Sequence, residues 1–138
     1  MAQTAPEKLH LQKGEQLLVL NAPHNLEALL LPLPEGATLV TEVAREYPVV
    51  LGFVEQLRDL IEIWHKLRTG VSPHGAIWVA YPKKTGTIRS DLHRDVLAAQ
   101  VQVLSPDWTV VSLISLDATW SAMRFRRVED IPKLTRNF

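Results

Sequence analysis

The sequence has no cysteine. That excludes a disulfide framework, a thiolate nucleophile and a cysteine-built zinc site. It has no excess of either charge, since 15 Lys and Arg are balanced by 15 Asp and Glu. A dedicated nucleic-acid binder needs a basic surplus to displace counterions, so no nucleic-acid partner is expected. No window approaches the ~18 continuous apolar residues of a membrane span. The opening residues Met1 to Lys8 lack the basic-then-apolar pattern of a signal peptide. The expectation is a cytoplasmic protein with no membrane partner. The histidines, His10, His24, His65, His74 and His93, show no His-x-x-x-His spacing, and no metal site is expected. Glycine is scarce as well, with 6 in the chain. Neither the Gly-x-x-x-x-Gly-Lys-Ser/Thr of a P-loop nor a Gly-x-Ser-x-Gly nucleophile elbow is present.

What is there describes a globular domain. The chain has 138 residues, 46% of them apolar and 22% charged, which is enough for one core and reads as a single domain over residues 1–138. Residues 5–12 predict a short helix closed by Gly14. The continuous apolar run that starts at Gln16 predicts a strand covered on both faces. Asn25 predicts the cap of a helix through Leu31, before Pro32 and Pro34. Strands follow at residues 37–41 and 47–53. Residues 54–69 predict a helix with Val54, Leu57, Ile61, Trp64 and Leu67 on its apolar stripe. The turn Ser72-Pro73-His74-Gly75 leads to a fourth strand at residues 76–81. Ser90 predicts the cap of a second amphipathic helix, with Leu92, Val96, Ala99 and Val103 as its stripe and Asp91 in its first turn. Strands at 108–116 and 120–128 are separated only by Asp117-Ala118-Thr119, which predicts a hairpin. The tail from Glu129 onward, broken at Pro132, is expected at the surface.

Strands that alternate with helices predict a three-layer, Rossmann-like α/β domain with a mostly parallel sheet. The expected strand order is 3-2-1-4-5, with the last strand added antiparallel at one edge. Ligands of such folds bind at the carboxyl ends of the strands where the order reverses. That rule gathers Asn21, His24, Glu42, Lys83, Lys84, Thr85, Ser90, Asp117 and Trp120 as candidate ligand-binding residues. Strands one and four would be neighbours, bringing Asn21 to Lys83. The two lysines and the backbone N–H groups after Ser90 would then hold an anion. Asp91, Arg94 and Asp95 are either a surface ion-pair cluster or a partner-binding patch. Arg124, Arg126 and Arg127 read as a charged edge strand that resists aggregation. The same strand is a candidate for pairing across a homodimer.

A resemblance enters on these residues. The segments Val19-Leu-Asn-Ala-Pro23, Leu31-Pro-Leu-Pro-Glu-Gly36, Tyr81-Pro-Lys-Lys84, Ser90-Asp-Leu with Arg94-Asp95, and Thr119-Trp-Ser-Ala-Met-Arg-Phe-Arg126 resemble a bacterial family of single-domain proteins of unknown function. The likeness runs through nearly the whole chain. It departs at His93, where an Asn is expected, and at Leu116-Asp117-Ala118, where an acidic pair is expected. More distantly the chain is similar to class I S-adenosylmethionine methyltransferases, and so to a truncated version of their fold. Ser72-Pro73-His74-Gly75 resembles their Pro-Gly-Gly turn, and Glu42 sits where they place a ribose-binding acid. Their Gly-x-Gly loop after the first strand is replaced here by Asn21-Ala22-Pro23-His24.

Two functions follow as expectations. The first is a non-catalytic domain, its cofactor unspecified, that binds a small anionic ligand or a protein partner at the carboxyl edge. The second is a diverged S-adenosylmethionine-dependent methyltransferase, with Glu42 on the ribose and Asp117 in the active site. No catalytic residue is assigned with the first.

Overall fold

The computed structural model describes residues 3–131, so the expectations for Pro132 and the tail beyond it lie outside the described residues. The chain begins with a single helical turn, α1 (Ala5–Lys8), closed at its start by reciprocal hydrogen bonds between Thr4 and Glu7. Strand β1 (Gln16–Leu20), helix α2 (Leu26–Leu30), strand β2 (Thr38–Val40) and strand β3 (Tyr47–Phe53) follow. Helix α3 (Leu57–Gly70), strand β4 (Val71–Pro82), helix α4 (Arg94–Leu104), strand β5 (Trp108–Ser115) and strand β6 (Trp120–Arg127) complete it. The first helix is shorter than its apolar pattern predicts, because His10 takes a left-handed φ of 64° and turns the chain.

One six-stranded sheet runs in the order β2-β1-β3-β4-β6-β5. β1 pairs in parallel with both β2 and β3, and β3 with β4. β6 is antiparallel to both β4 and β5. The mostly parallel α/β class expected from sequence is present, but the strand order is not. β3 separates β1 from β4, so those strands are not neighbours. The reason lies in burial. β3 is buried at every position but Pro48, whereas β2 is three residues long and half exposed. The apolar strand takes the centre and the short one the rim. The connection at residues 41–46 carries no helix. It crosses β1 because a strand this short leaves little distance to retrace.

The expected edge strand is also corrected. β6 lies inside the sheet, paired on both sides, and β5 forms the rim. Pairing of residues 120–128 across a homodimer is therefore blocked by β5.

The core has two halves. On one face Leu18, Val50, Ile77, Val79, Met123 and Phe125 pack under α3 and α4. On the other, Leu17, Val19, Leu51, Trp78 and Ala122 pack against Leu9, Leu11, Leu29 and Leu30. The buried stripe of α3 is Leu60, Ile63, Trp64 and Leu67. Each of these contributes about 1.5–3 kcal/mol by leaving water. Ile61, expected inside, is 50% exposed. Likewise α4 buries Leu97 and Val101, while Val103 is exposed. Both helices also start later than predicted. Ser72 to Gly75 does not end as a free turn. It forms an irregularity within β4, where the pairing with β3 jumps from Tyr47↔Val71 to Val49↔Ala76. Among the described residues no helix is long and apolar enough to cross a membrane.

Candidate functional site

The chain passes from β1 to β2 on one side, then crosses back over β1 to β3 on the other, so the strand order reverses between β1 and β3. This is the point at which open α/β sheets form a crevice outside their carboxyl ends. A cavity of about 650 Å³ lies there. Asn21, Ala22, Pro23, His24 and Asn25, which follow β1, form one wall. Phe53 at the end of β3, then Glu55 and Asp59, form the second. Thr87, Ile88, Thr119 and Trp120 close the far side.

Phe53 and Trp120 are buried and meet edge to face, with ring centroids 5.1 Å apart. That geometry is favourable for aromatic quadrupoles and gives the crevice a rigid apolar base. Its charged lining is acidic: Glu55 and Asp59 are present, and among the described residues no Lys or Arg contributes. The Asp59 carboxylate accepts hydrogen bonds from the backbone N–H groups of Glu55 (3.3 Å) and Gln56 (3.0 Å), fixing it at the start of α3. Such a lining attracts a ligand with a cationic group and an apolar or aromatic portion.

Asn21 takes a left-handed backbone, with φ of 56°. Glycine adopts this region without penalty, and Asn is among the few residues that tolerate it. The turn out of β1 therefore reaches a glycine-like course without a glycine.

The sequence-derived candidates divide. Asn21, His24 and Trp120 share the crevice. Lys83, Lys84 and Thr85 do not. Both lysines border two smaller cavities, one holding Thr85 and the other Ser90. The Lys83 ammonium donates to Ser115 Oγ at 2.5 Å. The single basic pocket expected around Asn21 and Lys83 is thus absent, because β3 stands between the strands that carry them. Glu42 is exposed and outside the crevice lining, and its carbonyl accepts from the Tyr47 hydroxyl at 3.5 Å.

Five more candidates have structural partners. Asp117 Oδ1 accepts from the backbone N–H groups of Thr119 and Trp120, each at 2.8 Å, and so shapes the β5–β6 turn. Ser90 does not cap α4, which begins at Arg94. Its hydroxyl donates to the Glu55 carbonyl and accepts from the Leu92 N–H. Asp91 lies before α4, not in its first turn, and accepts from the Leu57 N–H at 2.7 Å. Arg94 pairs with Asp95 at 3.6 Å rather than with Asp91. The Ser-Asp-Leu segment thus ties the loop after β4 to the start of α3, one wall of the crevice.

Sequence reasoning missed Phe53, Glu55, Asp59, Thr87 and Ile88. The signal for the first three was present. They lie at and just beyond the end of the apolar strand at residues 47–53, and recognising it as central would have placed them at the switch point.

No protein-family model matches the sequence, and no curated protein matches it. Solved structures do match in shape. A complex of DhpI with SAH aligns over 89% of this chain and 82% of its own, with a TM-score of 0.58 and 10% identity. An rRNA methylase from Streptococcus thermophilus aligns over 92% of this chain and 98% of its own, with a TM-score of 0.58 and 12% identity. A ribosomal protein L11 methylase from Lactobacillus delbrueckii subsp. bulgaricus aligns over 89% and 74%, with a TM-score of 0.55 and 5% identity. The chain therefore shares the Rossmann-like fold of these structures.

Proposed function

We propose that this chain is a diverged methyltransferase-like domain that binds a nucleoside ligand of the S-adenosylmethionine class in the crevice between β1 and β3. The observation that carries the reading is the character of that crevice. It sits at the switch point, rests on Phe53 and Trp120, and among the described residues takes its charge from Glu55 and Asp59. A sulfonium or ammonium group suits it, and a simple anion does not. The fold neighbours support the reading, since one is a complex with SAH and another, DhpI with SAM and HEP, aligns at a TM-score of 0.52. The left-handed Asn21 supports it too, by holding the loop after β1 on a glycine-like path. Glu42 is not among the residues that line this crevice. His24 is the one imidazole on the crevice wall. It is the group in place to accept the proton a nucleophile releases when it takes up a methyl group.

Calorimetric titration with S-adenosylmethionine and S-adenosylhomocysteine tests the proposal. Saturable, submillimolar binding is expected, tighter for the sulfonium than for the neutral thioether. Glu55→Gln is expected to narrow that preference roughly three- to tenfold, the ~1 kcal/mol of one solvent-exposed charge pair. Absence of saturable heat with both ligands overturns the reading.

A further inference from the structure

On the opposite face of the sheet lies a second cavity, of about 340 Å³, between the end of β4 and the start of α4. Tyr81 and Ser121, paired across the β4–β6 ladder, form its floor. Tyr81 is only 5% exposed, yet it lines this space. Lys84, His93 and Arg94 stand around the rim, and exposed Leu113 provides an apolar side. The one lining acid, Asp95, is paired with Arg94 at 3.6 Å. Lys83, beside them, is already directed to Ser115. The His93 side chain makes no capping hydrogen bond, so it leaves the first N–H groups of α4 free.

We propose that this cavity binds a small phosphate monoester with an apolar substituent. The donors are too numerous for a carboxylate. A phenol, a hydroxyl, an ammonium and a guanidinium all line it, a donor set that suits three terminal phosphate oxygens better than two carboxylate ones. Burial pushes the Tyr81 phenol above its usual range, against the opposing pull of Arg94 and a hydrogen bond with Ser121. The phenol therefore stays protonated. The volume exceeds what inorganic phosphate fills, and Leu113 with Pro82 offers the remainder to an apolar group. The site shares no lining residue with the crevice, so this proposal stands apart from the methyltransferase reading.

Calorimetry with phenyl phosphate, inorganic phosphate and benzoate is the test. Phenyl phosphate is expected to bind most tightly. The double variant Lys84→Ala/Arg94→Ala, changed at two exposed positions, should bind it at least tenfold more weakly. An equal loss of charge on α3, Arg58→Ala/Lys66→Ala, should leave binding unchanged, as should any S-adenosylmethionine titration of the first variant. Tyr81→Phe should weaken phenyl phosphate at least threefold. The proposal falls if phenyl phosphate gives no saturable binding or if benzoate or inorganic phosphate binds as tightly. It falls equally if the α3 variant loses as much as the Lys84/Arg94 variant.

Discussion

The Asp91 carboxylate caps a helix to which it does not belong, accepting the Leu57 N–H at 2.7 Å across 34 residues of chain. Around it Gln56 Nε2 donates to the Arg89 carbonyl at 2.8 Å, and the Asp91 N–H donates to Gln56 Oε1 at 3.1 Å. This cluster fastens the loop after β4 to the mouth of α3, beside Glu55 and Asp59. Asp91→Ala is therefore expected to cost about 1 kcal/mol, as loss of a helix cap does. Asp91→Asn should retain most of it, because an amide oxygen still accepts. Urea denaturation measures both. Arg94→Ala, which removes only an exposed ion pair, should leave stability unchanged.

Gly52 makes a different kind of demand. A Cβ there would stand 2.6 Å from Ile63 Cδ1 and 2.9 Å from Leu67 Cδ1, where α3 presses on β3. Gly52→Ala is expected to cost about 1–3 kcal/mol by overpacking. Ile63→Val deletes the nearest methyl group. The double variant should accordingly lose less stability than the two single losses added together. Strict additivity in chemical denaturation would show that the contact does not limit packing.

Strand and helix positions were legible because apolar runs and turn residues report them locally. β3 was read at its observed bounds, and Asp117-Ala118-Thr119 was read as a hairpin. Strand order is a different kind of information. It depends on which strand buries two faces, a competition among segments that no single window records. The length and apolar continuity of residues 47–53, set against the half-exposed residues 38–40, were the only trace of it. Once β1 and β3 became neighbours, Glu55 and Asp59 entered the crevice and Lys83 and Lys84 left it, and the expected charge of the site reversed. The Ser90-Asp91 pair misled for a related reason. A Ser-Asp pair ahead of an apolar run signals a helix cap, but the helix that Asp91 caps is distant in sequence.

The backbone at Asn21 yields a test of the loop after β1. Its φ of 56° is one that glycine takes freely and a β-branched residue does not. Asn21→Gly should therefore fold with stability close to that of the parent. Asn21→Val should lose about 1–2 kcal/mol, the usual penalty for a left-handed residue with a Cβ. Comparing S-adenosylmethionine affinities of the parent and Asn21→Gly then isolates the Asn21 side chain, since the backbone path is kept. Equal destabilisation by Gly and Val, measured by thermal melting, would contradict the assigned conformation.

His10 predicts a pH dependence with a definite sign. Its imidazole stands edge-on to the Trp78 ring, with centroids 6.2 Å apart. Burial, and secondarily the Arg124 guanidinium, lower its pKa from the ordinary 6.5. The folded form therefore binds a proton less readily than the unfolded chain. Between the two pKa values the unfolded state holds more protons, so stability rises with pH there. The contribution is fully present above about pH 6.5. It is lost as pH falls toward the lower, folded value. His10→Asn removes the titrating ring while keeping a residue that tolerates the local φ of 64°. In urea denaturation at pH 5 and pH 7.5, the parent should lose more stability on acidification than His10→Asn. An identical pH dependence in the two proteins would remove His10 from the acid response.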